Sequence, residues 1–198
     1  MRTNSNWIQT YSGGKFWPLD PSPKEVNIVD IAWALSMQCR YTGHSSKFYS
    51  VGDHSCWVSD MVPDEYKFQA LMHDAAEAYL IDVARPVKHA DGFLFYREAE
   101  EKISAAIGQR YGIDLVNLPH EVHHADSAML ITEAHHLFPY GHPAQWRVTC
   151  SCGNMKPYEN IIFKPRKQID AYRDFIGRFY MLQEKHLSAL RAVRGGLL

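Results

Sequence analysis

The sequence predicts a compact all-α helical bundle with a short β-hairpin at its start, and three observations carry that expectation. Apolar residues recur at helical spacing in successive windows from Ile28 to Leu190, with proline or glycine between the windows. A strand-and-turn pattern occurs once, over residues 7–17, so the hairpin is expected to be the only sheet. A length of 198 residues suits one domain that buries roughly 70% of the surface its unfolded chain exposes, and residues 1–198 are read as a single unit.

In chain order, Ile8, Thr10 and Tyr11, the pair Gly13-Gly14, and then Lys15, Phe16 and Trp17 predict the hairpin. Ile28, Ile31, Ala32 and Leu35 fall on one helical face behind Asn27, which predicts a first helix to about Gln38. Residues 40–50, RYTGHSSKFYS, have no apolar period and read as a loop. Helical spacing resumes from Val51 to Val62, where Pro63 stops it. Phe68, Leu71, Met72, Ala75 and Tyr79 predict one continuous third helix from near Asp64, whose acidic start suits the positive helix end. The chain must turn around Arg85-Pro86. Phe95, Ala99, Ile103 and Ile107 then predict a fourth helix closed near Gly112. A fifth runs from Pro119, as its first residue, to Leu137, with Val122, Ala125, Met129 and Glu133 on one face. The metal-site core would thus span 24–138. Residues 139–165 hold Pro139, Gly141, Pro143, Gly153, Pro157 and Pro165 and read as an irregular excursion before a last helix over 166–194.

Composition narrows the function. Lys plus Arg at 21 against Asp plus Glu at 22 lacks the basic excess with which proteins grip nucleic-acid phosphates, so no nucleic-acid polymer is expected as a partner. No apolar run approaches the ~20 residues of a spanning helix, and MRTNSNWIQTYSGG lacks a signal-peptide core, so no membrane is expected. Cys39, Cys56, Cys150 and Cys152 form no regular framework, which fits a reducing cytoplasm. The Cys150-Ser151-Cys152 turn lacks the second pair that a closed zinc site needs and reads as two free thiols.

The polar groups that interrupt the helices point to chemistry. HDAAEAYLID sets His73 beside Asp74 and places Glu77 one turn later, opposite the apolar stripe. SVGDHS on the second helix adds His54, and HHADSAML on the fifth adds Asp126. Any one of these alone would read as a buried hydrogen-bonded residue or a surface charge; their coincidence argues otherwise. Two imidazoles and two carboxylates suit a divalent ion such as Mn, Co, Fe, Zn or Mg, without a choice among them. Such an ion lowers the pKa of a bound water toward ~7 and polarises a phosphoryl oxygen. Glu77, four residues beyond His73, is the candidate acid or base.

VxxHS at Val51–Ser55, HDxxE at His73–Glu77 and the Ala125-Asp126 pair resemble the HD-domain phosphohydrolases. The longer strings RYTGHSSKFYSVGDHS and ALMHDAAEAYLIDVARPVK look like the small branch that includes bacterial 5'-deoxynucleotidases and phage dATP triphosphohydrolases, over about Trp7 to Leu137. The resemblance implies an HD-domain bundle with metal ligands His54, His73, Asp74 and Asp126. It implies catalytic parts for Glu77 and Asp82, and an Arg-aromatic substrate pair at Arg40-Tyr41. Arg40 and Lys88 would meet phosphate, Tyr41 a base or deoxyribose, His44 phosphate, and Pro86 the pocket wall. The expected reaction is dATP plus water to deoxyadenosine plus triphosphate, in a homo-oligomer, in the cytoplasm of a cell or of a phage's host. The alternatives are a 5'-deoxynucleotidase acting on monophosphates, a non-catalytic nucleotide-binding protein, and a di-iron HD oxygenase that uses His123 or His124 for a second metal.

Overall fold

The structure is a computed structural model that describes residue 2 and residues 6–140, 149–150 and 153–195. It is mostly helical, as expected. Strands β1 (Ile8–Gln9) and β2 (Lys15–Phe16) pair antiparallel with Ile8 opposite Phe16, and Gly13 takes the φ of +86° that the turn requires. Helix α1 (Ile28–Met37) starts where the Asn27 side chain accepts a hydrogen bond from the Val29 N–H. Helix α2 (Val51–Asp60) starts the same way, with Ser50 accepting from Asp53 N–H.

The predicted third helix is broken. A 3-10 turn at Asp64–Tyr66 leads into α3 (Lys67–Met72), and α4 (Glu77–Leu80) follows after four residues of tightened turn. Backbone bonds Ala75 to Met72, Glu77 to Asp74 and Tyr79 to Ala76 span three residues rather than four. The cause is local: His73 Nδ1 donates to the Ala70 carbonyl at 2.7 Å, the acceptor that the Asp74 N–H would use in a regular helix.

The turn at Arg85-Pro86 is itself one short helix, α5 (Arg85–Lys88), with proline in its first turn. Helix α6 (Leu94–Tyr111) is closed by Gly112 in the left-handed conformation. Helix α7 (His120–Leu137) has Pro119 as its cap rather than its first residue, because Pro119 keeps an extended ψ of 149°. The excursion carries a second strand pair, β3 (Thr149–Cys150) with β4 (Gly153–Asn154), so the first hairpin is not the only sheet. Two residues separate these strands, the commonest hairpin spacing, and strands this short carry no readable period. Ser151 and Cys152 of the CxC turn lie outside the described residues. Helix α8 (Gln168–Gly195) is the last element among the described residues.

Helices α1, α2, α3 and α8 pack together around Phe16, Ile31, Leu35, Leu71, Phe175 and Phe179. Helix α7 lies against α2 through a second cluster of Val58, Val62, Ala70, Val122, Ala125 and Met129, over which Tyr158, Ile161 and Phe163 of the excursion are folded. Arg166 fastens the end of that excursion to buried Asp53, donating from its backbone N–H and its guanidinium. The second helix is thereby held on all sides, and the middle of α2, the end of α3 and the first half of α7 meet. Among the described residues no helix is long and apolar enough to cross a membrane.

Candidate functional site

Where those three helices meet, the structure brings together His54, His73, Asp74 and Asp126. His54 Nε2 lies 3.1 Å from Asp126 Oδ1 and 3.7 Å from Asp74 Oδ2, and His73 Nε2 lies 3.2 Å from Asp74 Oδ2 and 4.0 Å from Asp126 Oδ1. His54, His73 and Asp74 form one group in which a donor atom from each lies within 4.8 Å of the others. Asp126 joins them through the two imidazoles. An ion held ~2.0–2.2 Å from such donors would separate neighbouring donors by roughly 3–4 Å.

Hydrogen bonds aim both imidazoles inward. A carbonyl can only accept, so the bond to Ala70 puts the His73 proton on Nδ1 and turns the Nε2 lone pair toward the carboxylates; that Nε2 is buried and without a hydrogen-bond donor. His54, fully buried, donates from Nδ1 to Glu133 Oε1 at 2.6 Å. Burial and Arg40 push His54 down, but Glu133 and Asp126 outweigh them and carry it up to about 9. Burial raises Asp126, and the bond from His54 overrides it and lowers the group to about 2. A positive charge between these four side chains is therefore favoured. The donor set and the unpartnered nitrogen fit a divalent ion.

Sequence reasoning gives Glu133 only a place on the apolar face of its helix. In the structure it is fully buried and organises the centre: its Oε1 accepts from His54 and from the Tyr49 hydroxyl at 2.8 Å, and its Oε2 accepts from the Tyr41 hydroxyl and lies 3.3 Å from Arg40 Nε. Burial opposes its charge, yet Arg40 and His54 hold its pKa low. An acid at a core position of a helix, seven residues after Asp126, is the signal that finds it.

Beside the four donors opens a cleft of about 1100 Å³, slightly above the ~300–1,000 Å³ usual for small-molecule sites. Arg40, Tyr41, Glu77, Asp82, Pro86 and Lys88 all line it, next to His73, Asp74 and Asp126; His54 stands behind them. His44 is exposed and is not among the lining residues, since its N–H bonds back to the Tyr41 carbonyl at the edge of the loop. Arg85, which sequence reasoning treats only as a turn, also lines the cleft, with its guanidinium 3.4 Å from Asp126 Oδ2. His123 lines the cleft as well, exposed beside it.

The chain is forced at both rims. Tyr41 and Thr42 have φ of +58° and +54°, which turns the Tyr41 hydroxyl to Glu133 and sets its ring edge-on to Phe138. Ile81 has φ of +85°, a rare conformation for a β-branched residue, and it directs the chain so that Asp82 enters the cleft. Glu77 is buried with Oε2 unpartnered; burial and the charges of Asp74 and Asp82 raise its affinity for a proton well above that of an ordinary glutamate. Asp82 is raised too, by burial and by Asp74 against the pull of Arg40. Lys88 forms an ion pair with Glu100 at 2.5 Å.

No family model matches the sequence. An uncharacterized protein of Rhodobacter capsulatus is 34% identical over 119 residues, which is 56% of this chain and 60% of that protein. The uncharacterized protein YfdR of Escherichia coli K12 is 42% identical over 132 residues, 67% of this chain and 72% of YfdR. Identity at that level over most of the length of YfdR requires a shared fold and descent, and the chain belongs to the YfdR family.

Proposed function

We propose that the protein is a metal-dependent deoxynucleotide phosphohydrolase of the HD type, converting dATP and water to deoxyadenosine and triphosphate. The observation that carries the reading is the buried, unpartnered Nε2 of His73, aimed at carboxylates on the floor of a cleft lined by both acids and cations. His54, His73, Asp74 and Asp126 would hold the ion. A divalent ion there supplies Lewis acidity, which makes water more acidic and draws charge from a phosphoryl oxygen.

The remaining work falls to the side chains. Arg40 is buried at the cleft wall and would fork onto phosphate oxygens, with Lys88 and Arg85 adding positive charge. Tyr41 and Pro86 wall the cleft beside the nucleoside. The oxygen of water forms a bond to the α-phosphorus and the bond from that phosphorus to the 5' oxygen breaks. Glu77, a strong proton acceptor for a carboxylate, takes the proton of the water, and Asp82, also raised, returns one to the 5' oxygen. The same reading includes a homo-oligomer acting in the cytoplasm, where thiols such as Cys39 and Cys56 stay free.

The test is chromatography of each dNTP and dNMP after incubation with the purified protein and Co, Mn, Mg, Zn or Fe(II), beside Asp74→Ala. Deoxyadenosine and triphosphate in equal amounts, absent with the variant, is the expected result. Orthophosphate from monophosphates only would replace this reaction with that of a 5'-deoxynucleotidase. Tight nucleotide binding without turnover would leave a binding protein, and two irons per chain an oxygenase.

A further inference from the structure

The rim of the cleft that carries Glu77 and Asp82 is held by groups to which the chemistry gives no part. Gln38 stands at the end of α1, its backbone fixed on both sides: its N–H donates to Ala34 and its carbonyl accepts from Val51, the first residue of α2. Its side chain reaches across to the α4 segment. Gln38 Nε2 donates to the Glu77 carbonyl at 2.9 Å, and Gln38 Oε1 accepts from the Asp82 N–H at 3.1 Å. Because a carbonyl only accepts and an N–H only donates, this is the one amide orientation that satisfies both.

Between the two bonded residues lies Ile81, with φ of +85° and ψ of 149°. L side chains adopt this conformation only when the surroundings impose it, and a β-branched one least of all. The Ile81 N–H bonds the same Glu77 carbonyl at 2.8 Å, and the Ile81 carbonyl accepts from the Tyr96 hydroxyl of α6 at 2.6 Å. Ile81 itself is 60% exposed, so packing does not hold it there. The hydrogen bonds do.

We infer that Gln38 and Tyr96 are positioning residues that clamp the strained Ile81 turn from opposite sides and so hold the Asp82 carboxylate in the cleft with Glu77. If Ile81 relaxed to a negative φ, the peptide to Asp82 would rotate and carry that side chain away from the floor of the cleft. The clamp acts through backbone atoms, so it spends no charge in a site already rich in carboxylates. The catalytic consequence rests on the proposed hydrolase activity, while the clamp rests on geometry alone.

The experiment uses Gln38→Met, which keeps length and removes two bonds, and Tyr96→Phe, which removes the third. Each should lower kcat with KM and bound metal unchanged, Gln38→Met by roughly the 10- to 100-fold typical of outer-shell partners. Glycine takes positive φ without steric cost, so Ile81→Gly should recover much of that loss in the Gln38→Met background. The Asp82 amide should exchange with deuterium faster in both single variants. Wild-type kcat in both, a loss that Ile81→Gly fails to mend, or unchanged Asp82 exchange would each overturn the clamp. If the unaltered protein turns over no deoxynucleotide, the proposed function fails and the exchange measurement still decides the clamp; if Gln38→Met does not fold, Tyr96→Phe decides it.

Discussion

Glu77 and Asp74 are both carboxylates on the same short stretch, yet their surroundings assign them different work. Asp74 Oδ2 faces two imidazole nitrogens at 3.2 and 3.7 Å, whereas Glu77 has a buried oxygen with no donor at all. Asp74→Ala is therefore expected to remove bound metal and turnover together. Glu77→Gln keeps shape and burial but cannot take a proton, so it should leave metal content intact and slow turnover by about 10²–10⁴-fold, as loss of an acid-base group does. Metal analysis alongside kcat checks both, and equal metal loss in the two variants would move Glu77 into the ligand set. Most of this centre was legible in the sequence because its members sit in short local strings, where a dipeptide and a one-turn spacing set the geometry. Glu133 was not, because its meaning lies in partners from distant segments: Tyr41, Tyr49 and His54 reach it only after α2 and α7 have packed. His44, expected at phosphate, is exposed and outside the cleft lining, because left-handed Tyr41 and Thr42 precede it, and no composition pattern reports that turn.

Helices were legible wherever an apolar stripe met an unambiguous stop, as with Asn27 before α1, Pro63 after α2 and Gly112 after α6. The break between α3 and α4 was hidden, since His73 and Ala76 at its two ends keep helical backbone angles and only the competition of a side chain for the Ala70 carbonyl betrays it. The end of α6 shows how an element shapes the site. Gly112 and Ile113 both donate to the Gly108 carbonyl, which folds the chain back so tightly that a Cβ on Gly108 would stand 2.5 Å from the Ile113 oxygen. The segment released by this turn, Leu115 to Leu118, forms one wall of the cleft. Gly108→Ala should therefore destabilise the protein by about 1–3 kcal/mol, the cost of overpacking a close contact. Urea unfolding would show it as a lower midpoint at unchanged slope, and a variant as stable as the parent would contradict the close approach.

At the scale of the whole molecule, the centre joins elements distant in the chain. His54 belongs to a helix tied to the excursion through Asp53 and Arg166, His73 and Asp74 to the end of α3, and Asp126 to α7, which is joined to α2 through apolar contacts. Asp74, Glu77, Asp82 and Asp126 all line one cleft, and their mutual repulsion works against the packing of the elements that carry them. A cation bound between them relieves that repulsion in the folded state alone, because the unfolded chain has no such arrangement. Binding must then stabilise the fold by mass action, by about 2.7 kcal/mol at a hundred times the dissociation constant. For a domain of this size that is a rise in Tm of roughly 5–11 °C. The expected outcome is a higher melting temperature with Mn or Co than with a chelator, and no difference for Asp74→Ala. Calorimetry decides it without any substrate: identical melting of the unaltered protein in both conditions would remove the metal from the proposal, whatever the protein does to nucleotides.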